Sequence, residues 1–183
     1  MKHFTKTLVA GILFLFVITM QLSAQKCKYD FEKKDPLTGK VTKKSTFTIV
    51  ATVMFYTVER PLKWKLDVNK VGDKYFIGMF IGLTGSVRNP ITPETAIFLK
   101  LSNGEVITLY ANDTYYSTTD VRQDGGVVSS YDAKFDISKE DMQKLAASPL
   151  IYVKVGIGAR DYDSEFNTKK GTEFQNISKC ILQ

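Results

Sequence analysis

The chain is poor in the side chains on which most enzyme chemistry rests. Its 183 residues include one histidine, His3, and two cysteines, Cys27 and Cys180. His3 lies in an amino-terminal stretch that reads as a removable leader, so the rest of the chain has no imidazole. This excludes Ser-His-Asp and Cys-His nucleophile systems, histidine-ligated zinc and non-haem iron triads. A Gly-rich phosphate loop is also missing, because Gly156-Ile157-Gly158 lacks the third glycine and the following helix. Nucleic acid is not an expected partner. There is a single long hydrophobic run, and no second segment approaches membrane length.

That run is Leu8 to Met20, interrupted only by Thr19. It follows a short basic start with Lys2 and Lys6 and precedes Leu22-Ser23-Ala24-Gln25. Basic, apolar and small-residue segments in this order predict a signal peptide over 1–24, cut near Ala24 or Gln25. Thirteen residues of helix reach only about 20 Å, short of a bilayer's hydrocarbon core, which favours a removable signal over a permanent anchor, and with no second such run no membrane span is expected after its removal. Cys27 follows Gln25 and Lys26 rather than a small residue, which does not fit lipid attachment. In its leader and general layout the chain resembles small exported proteins of Bacteroidetes type. The expected location is the periplasm, the cell surface or the medium.

Residues 25–183 are one domain's worth of chain. In an oxidising compartment Cys27 and Cys180 are expected to form a disulfide, with two free buried thiols as the alternative. Loss of Lys2 and Lys6 lowers the net charge from +6 to +4. Lys26 to Lys44 accounts for all of that, with seven lysines against Asp30, Glu32 and Asp35. Such a patch suits an anionic partner, or it guards the edge of a sheet against pairing with other strands.

Alternation of apolar and polar residues predicts strands along most of the domain. Cys27, Tyr29 and Phe31 open the first, and Asp35-Pro36-Leu37-Thr38-Gly39 turns it. Phe47, Ile49, Ala51, Val53 and Phe55 share one face of the next strand, which runs to Val58. Leu62, Trp64, Leu66 and Val68 then alternate with polar residues, which puts Trp64 in the core. Tyr75 to Leu83, apolar or glycine on both faces, suits a strand covered on both sides.

Asn103-Gly104 between two alternating runs predicts a two-residue type I′ hairpin. In that register Leu101, Leu99 and Ile97 face Val106, Thr108 and Tyr110, forming one mostly apolar face that turns toward the core. A second hairpin is expected at Asp124-Gly125-Gly126. Ser138 with Asp141 approximates a capping box for a short helix to Ala147, with Met142, Leu145 and Ala146 inward. Ile151 to Ile157 reads as the last strand, and the tail from about Gly171 to Leu182, with Phe174, Ile177 and Ile181 at helical spacing, as a terminal helix. The sum is a mainly β, antiparallel β-sandwich-like domain with one or two short flanking helices.

Two segments are candidates for a site. Asn112, Asp113, Tyr115 and Tyr116 combine aromatic and polar groups of the kind that stack on sugars or contact proteins. Asp161, Asp163 and Glu165 are the densest acids, expected in a loop after the last strand, where their hard oxygens suit calcium. The EF-hand pattern fails there, with Phe166 and Thr172 in place of its Gly and Glu. The reading that follows is a non-catalytic exported module of the cell envelope, binding or structural, with a glycan or an envelope protein as its partner. The alternative is a small carboxylate-dependent glycan or peptidoglycan hydrolase or lyase, which needs two carboxyl groups about 5–10 Å apart. A calcium-stabilised adhesin-like module is the third reading.

Overall fold

The strands of this domain are set by tight turns, most of which hinge on a glycine. The computed structural model describes residues 27–50 and 61–183. The expected signal peptide and the strand positions Ala51, Val53 and Phe55 lie outside these residues. Among the described residues the strands are β1 (Phe31–Lys34), β2 (Val41–Val50), β3 (Pro61–Val71), β4 (Lys74–Thr84), β5 (Ala96–Leu101), β6 (Val106–Tyr110), β7 (Thr118–Val121), β8 (Val127–Ile137), β9 (Leu150–Ile157) and β10 (Arg160–Glu165). The two helices are α1 (Lys139–Ala147) and α2 (Thr168–Leu182).

All the strand pairs are antiparallel. They form a six-stranded sheet in the order β1-β2-β3-β4-β8-β7 and a four-stranded sheet in the order β10-β9-β5-β6. The inward residues of both sheets merge in one core. Trp64, Leu66, Ile77, Met79, Tyr131 and Phe135 come from the first sheet, and Ile97, Leu99, Val153 and Val155 from the second. The result is a β-sandwich with two short helices at its flank, as the alternation implied.

The β1–β2 hairpin, which carries most of the local lysine surplus, forms one edge of the six-stranded sheet. All four residues of β1 are exposed, Glu32, Lys33 and Lys34 among them. Charge at this position discourages a further strand from adding to the edge. Tyr75, Ile77, Met79, Ile81 and Leu83 of β4 face the core, and on its other face Gly78 and Gly82 are buried and Phe76, Phe80 and Thr84 are partly buried. Lys63 lies over the Phe80 ring, and Asp67 and Asn69 lean against Gly78.

The two sides of the sandwich close differently. On one, the backbone carries on from β6 to β8, through a bridge between Ala111 and Phe135 and the Asn112 N–H donating to the Lys134 carbonyl at 3.0 Å. On the other, α2 covers β2, β3 and β9 and packs against α1. Phe174 and Ile181 of α2 are fully buried, and Phe47 of β2 meets Phe174 and Phe166 edge-on. Gln175 donates to the Ala146 carbonyl at 3.2 Å, satisfying an acceptor that the end of α1 leaves open.

α1 is capped as the sequence indicates. The Ser138 hydroxyl accepts from the Asp141 N–H at 3.0 Å and donates to the Asp141 carboxylate at 2.9 Å. α2 starts three residues earlier than its apolar spacing suggests, because the Asn167 side chain accepts from the Lys170 N–H and caps a polar first turn.

The Cys27–Cys180 disulfide is present, with Cα atoms 5.4 Å apart across a sequence separation of 153. Beside it the Tyr29 hydroxyl donates to the Cys180 carbonyl at 2.9 Å. Such a loop contributes about 5 kcal/mol by restricting the unfolded chain. Reduction, or Cys27→Ser with Cys180→Ser, is therefore expected to lower the urea midpoint by a matching amount. The denatured, unreduced protein should show no titratable thiol.

α2 approaches β9 closely at Gly171, where a Cβ would lie 2.3 Å from the Leu150 carbonyl oxygen. Alanine there gains about 1 kcal/mol of helix propensity but brings overpacking of about 1–3 kcal/mol. The backbone contact puts Gly171→Ala near the upper end, for a net loss of about 2 kcal/mol by chemical denaturation. A stabilised variant would show that α2 can shift outward at little cost.

Candidate functional site: the outer face of the four-stranded sheet

The hairpin between β5 and β6 determines what this sheet shows to water. Its turn is not the expected two-residue type I′ form, which needs positive φ at both central residues. Asn103 does not have positive φ, whereas Gly104 does, at 91°. The Leu101 carbonyl accepts from the Gly104 N–H at 3.0 Å, and the Leu101 N–H donates to the Glu105 carbonyl at 2.8 Å. This is a three-residue loop, a turn followed by a glycine bulge.

The extra loop residue moves the register by one, so Leu99 pairs with Ile107 and Ile97 with Leu109. A one-residue slip exchanges the two faces of a strand. Ile107 and Leu109 are consequently buried, whereas Val106 and Tyr110 are 54% and 57% exposed. The placement of Val106, Thr108 and Tyr110 toward the core is thereby corrected.

The outer face can be built row by row from the pairings. In the first row Glu165, Tyr152, Lys100 and Val106 stand side by side on β10, β9, β5 and β6. Asp163, Lys154, Phe98 and Thr108 form the second. The third is Asp161, Gly156, Ala96 and Tyr110, with Gly156 and Ala96 flanking the Ile97–Val155 pair. Phe98 is 36% exposed and Tyr152 is half-buried.

Asp161, Asp163 and Glu165 thus lie on a strand, not in a loop. β10 escaped the periodicity reading because only Tyr162 among its residues is a buried apolar side chain. Successive carboxylates on one strand face sit about 6.6–6.8 Å apart. Asp161 is already held by Lys154 at 2.6 Å, and that bond raises the pKa of the lysine. Burial, aided by a hydrogen bond to Asp163, raises the pKa of the Tyr152 hydroxyl. Among the described residues no three His, Cys, Asp or Glu side chains are grouped closely enough to hold a metal ion. The calcium expectation required converging loop ligands, and the strand spreads these three out.

The Asn112–Tyr116 segment lies beside the β6–β8 junction and divides into two roles. Tyr115 is bridged to Ile91 through the backbone, and its hydroxyl donates to the Asn112 side-chain oxygen at 2.5 Å. The Asn112 amide in turn donates to Asp136 at 3.2 Å, and Asp113 accepts from the Thr114 N–H at 2.7 Å. Burial of Tyr115, with the Asp113, Asp136 and Asp132 carboxylates nearby, raises the pKa of its hydroxyl. These three side chains are used in holding the segment in place. Tyr116 alone points away, 74% exposed.

The chain matches no known protein-family model, no curated protein and no solved structure.

The division of roles at Tyr115 and Tyr116 is open to measurement. Tyr115→Phe leaves Asn112 without its donor and is expected to cost about 1 kcal/mol in urea unfolding. Tyr116→Ala should fall within about 0.5 kcal/mol of the parent. Equal losses would contradict the assignment.

Proposed function

We propose that this chain is an exported module that binds a component of the cell envelope without transforming it, and that the outer face of the four-stranded sheet makes the contact. The observation that carries this reading is the exposure of Phe98, Val106 and Tyr110 on one continuous strand surface. Contiguous apolar groups rimmed by polar ones mark interaction sites on soluble domains. Export is supported by the order of basic, apolar and small residues over 1–24 and by the Cys27–Cys180 disulfide, since such bonds persist in oxidising compartments. No helix among the described residues is long and apolar enough to cross a membrane.

The test is co-sedimentation with isolated envelope, using protein expressed from the full chain in an exporting host. The parent is expected in the pellet. Phe98→Ala with Tyr110→Lys, melting as the parent does, should bind about ten-fold or more weakly. Parent protein that stays in the supernatant overturns the proposal.

A further inference from the structure

We infer, on the basis of that binding reading, that the ligand is an uncharged glycan chain lying across the sheet along the line Tyr152, Phe98, Tyr110. Phe98 on β5 is paired with Lys154 on β9 and with Thr108 on β6. Tyr152 stands beside Lys100, two residues along β5 on one side, and Tyr110 stands beside Ala96, two residues along on the other. The three rings therefore occupy consecutive diagonal positions on adjacent strands and form a straight row. Diagonal neighbours in a sheet are about 7–8 Å apart, so the row extends about 15 Å. That length suits a chain of several sugar rings better than a single one.

The chemistry around the row distinguishes a glycan from a protein. The centre of a protein interface is depleted of charged residues. Here Lys154 is the direct cross-strand neighbour of Phe98, and Lys100 that of Tyr152. Amine, hydroxyl and carboxylate groups are thus set among the rings, with Thr108 on one side and Asp163 and Glu165 on the other. A pyranose has the matching pattern, a C–H face that lies on an aromatic ring and a hydroxyl rim that needs donors and acceptors. Tyrosine offers both an apolar body and a polar tip.

Charge narrows the choice further. Lys154 on β9 stands one strand from the three carboxylates of β10 and Lys100 on β5 two strands away, and Lys154 is already neutralised by Asp161. A nearly balanced field of this kind favours a neutral polyhydroxy chain over a polyanion or polycation. The face is also an open strand surface, whereas small ligands are held in concave sites that bury most of their area. A chain passing over the sheet needs no such enclosure.

The experiment is titration calorimetry with the exported, disulfide-bonded protein. Its probes are neutral β-linked glucan and N-acetylhexosamine oligosaccharides long enough to cross three rings, their monosaccharides, and uronate chains of equal length. At least one neutral oligosaccharide should bind, its monosaccharide at least about ten-fold more weakly. Phe98→Ala, Tyr110→Ala and Tyr152→Ala should each weaken it by about ten-fold, with Tyr116→Ala unchanged and all four melting as the parent does. Should one ring variant unfold, the other two still decide.

Monosaccharide binding as tight as the chain's, tighter binding of uronate chains, or insensitivity to all three ring substitutions overturns the inference. So does a lack of any glycan binding. If Phe98→Ala with Tyr110→Lys still abolishes envelope sedimentation in that last case, the binding reading stands and its partner is a protein.

Discussion

What β6 exposes on the four-stranded sheet follows from one hydrogen-bonded turn. Gly104 takes up a backbone conformation that other residues adopt only at a cost, and this admits a third residue to the loop between β5 and β6. The added residue sets Ile107 and Leu109 toward the core and Val106 and Tyr110 toward water. Because β5 also pairs with β9, and β9 with β10, the outward set on those strands is locked to the same frame. The rings and charges of the outer face are therefore products of register as much as of composition.

The core obeys a similar economy of means. Each sheet supplies one apolar face, and among the described residues the two faces form a single cluster flanked by a helix pair at one side. α2 can sit as close as it does only because Gly171 removes a side chain at the point of contact with Leu150. Phe47, Phe166 and Phe174 then fill the corner where helix, loop and sheet meet. At this corner the two ends of the described chain also come together, through the disulfide and the Tyr29 hydrogen bond.

How much of this is legible in the sequence depends on how strongly each element declares its pattern. β3 and β8 alternate cleanly, and Trp64, Leu66, Val68, Tyr131, Ala133 and Phe135 are buried as their spacing requires. α1 announces itself through Ser138 and Asp141. The pairing of Cys27 with Cys180 follows from there being only two cysteines. β10 stays hidden because an edge strand with one buried apolar side chain has almost no hydrophobic period, so its three acids pass for a loop. The outer aromatic row is illegible for a different reason. Asn-Gly is compatible with two hairpin loops of opposite consequence, and the backbone decides between them. Recognising the bulge would have turned Tyr110 outward and brought it into line with Phe98. Asn112, Asp113 and Tyr115 show that residue types suited to binding also serve to fasten their own segment.

The bond between Cys27 and Cys180 encloses nearly all of the described domain in a covalent ring. Tension applied from beyond the two sulfurs passes directly from one end to the other and leaves the sheets unloaded. A domain pulled at its two ends would transmit force while its strands stay in register. Cleave the bridge, and the same pull would act on α2 and the β1–β2 hairpin first.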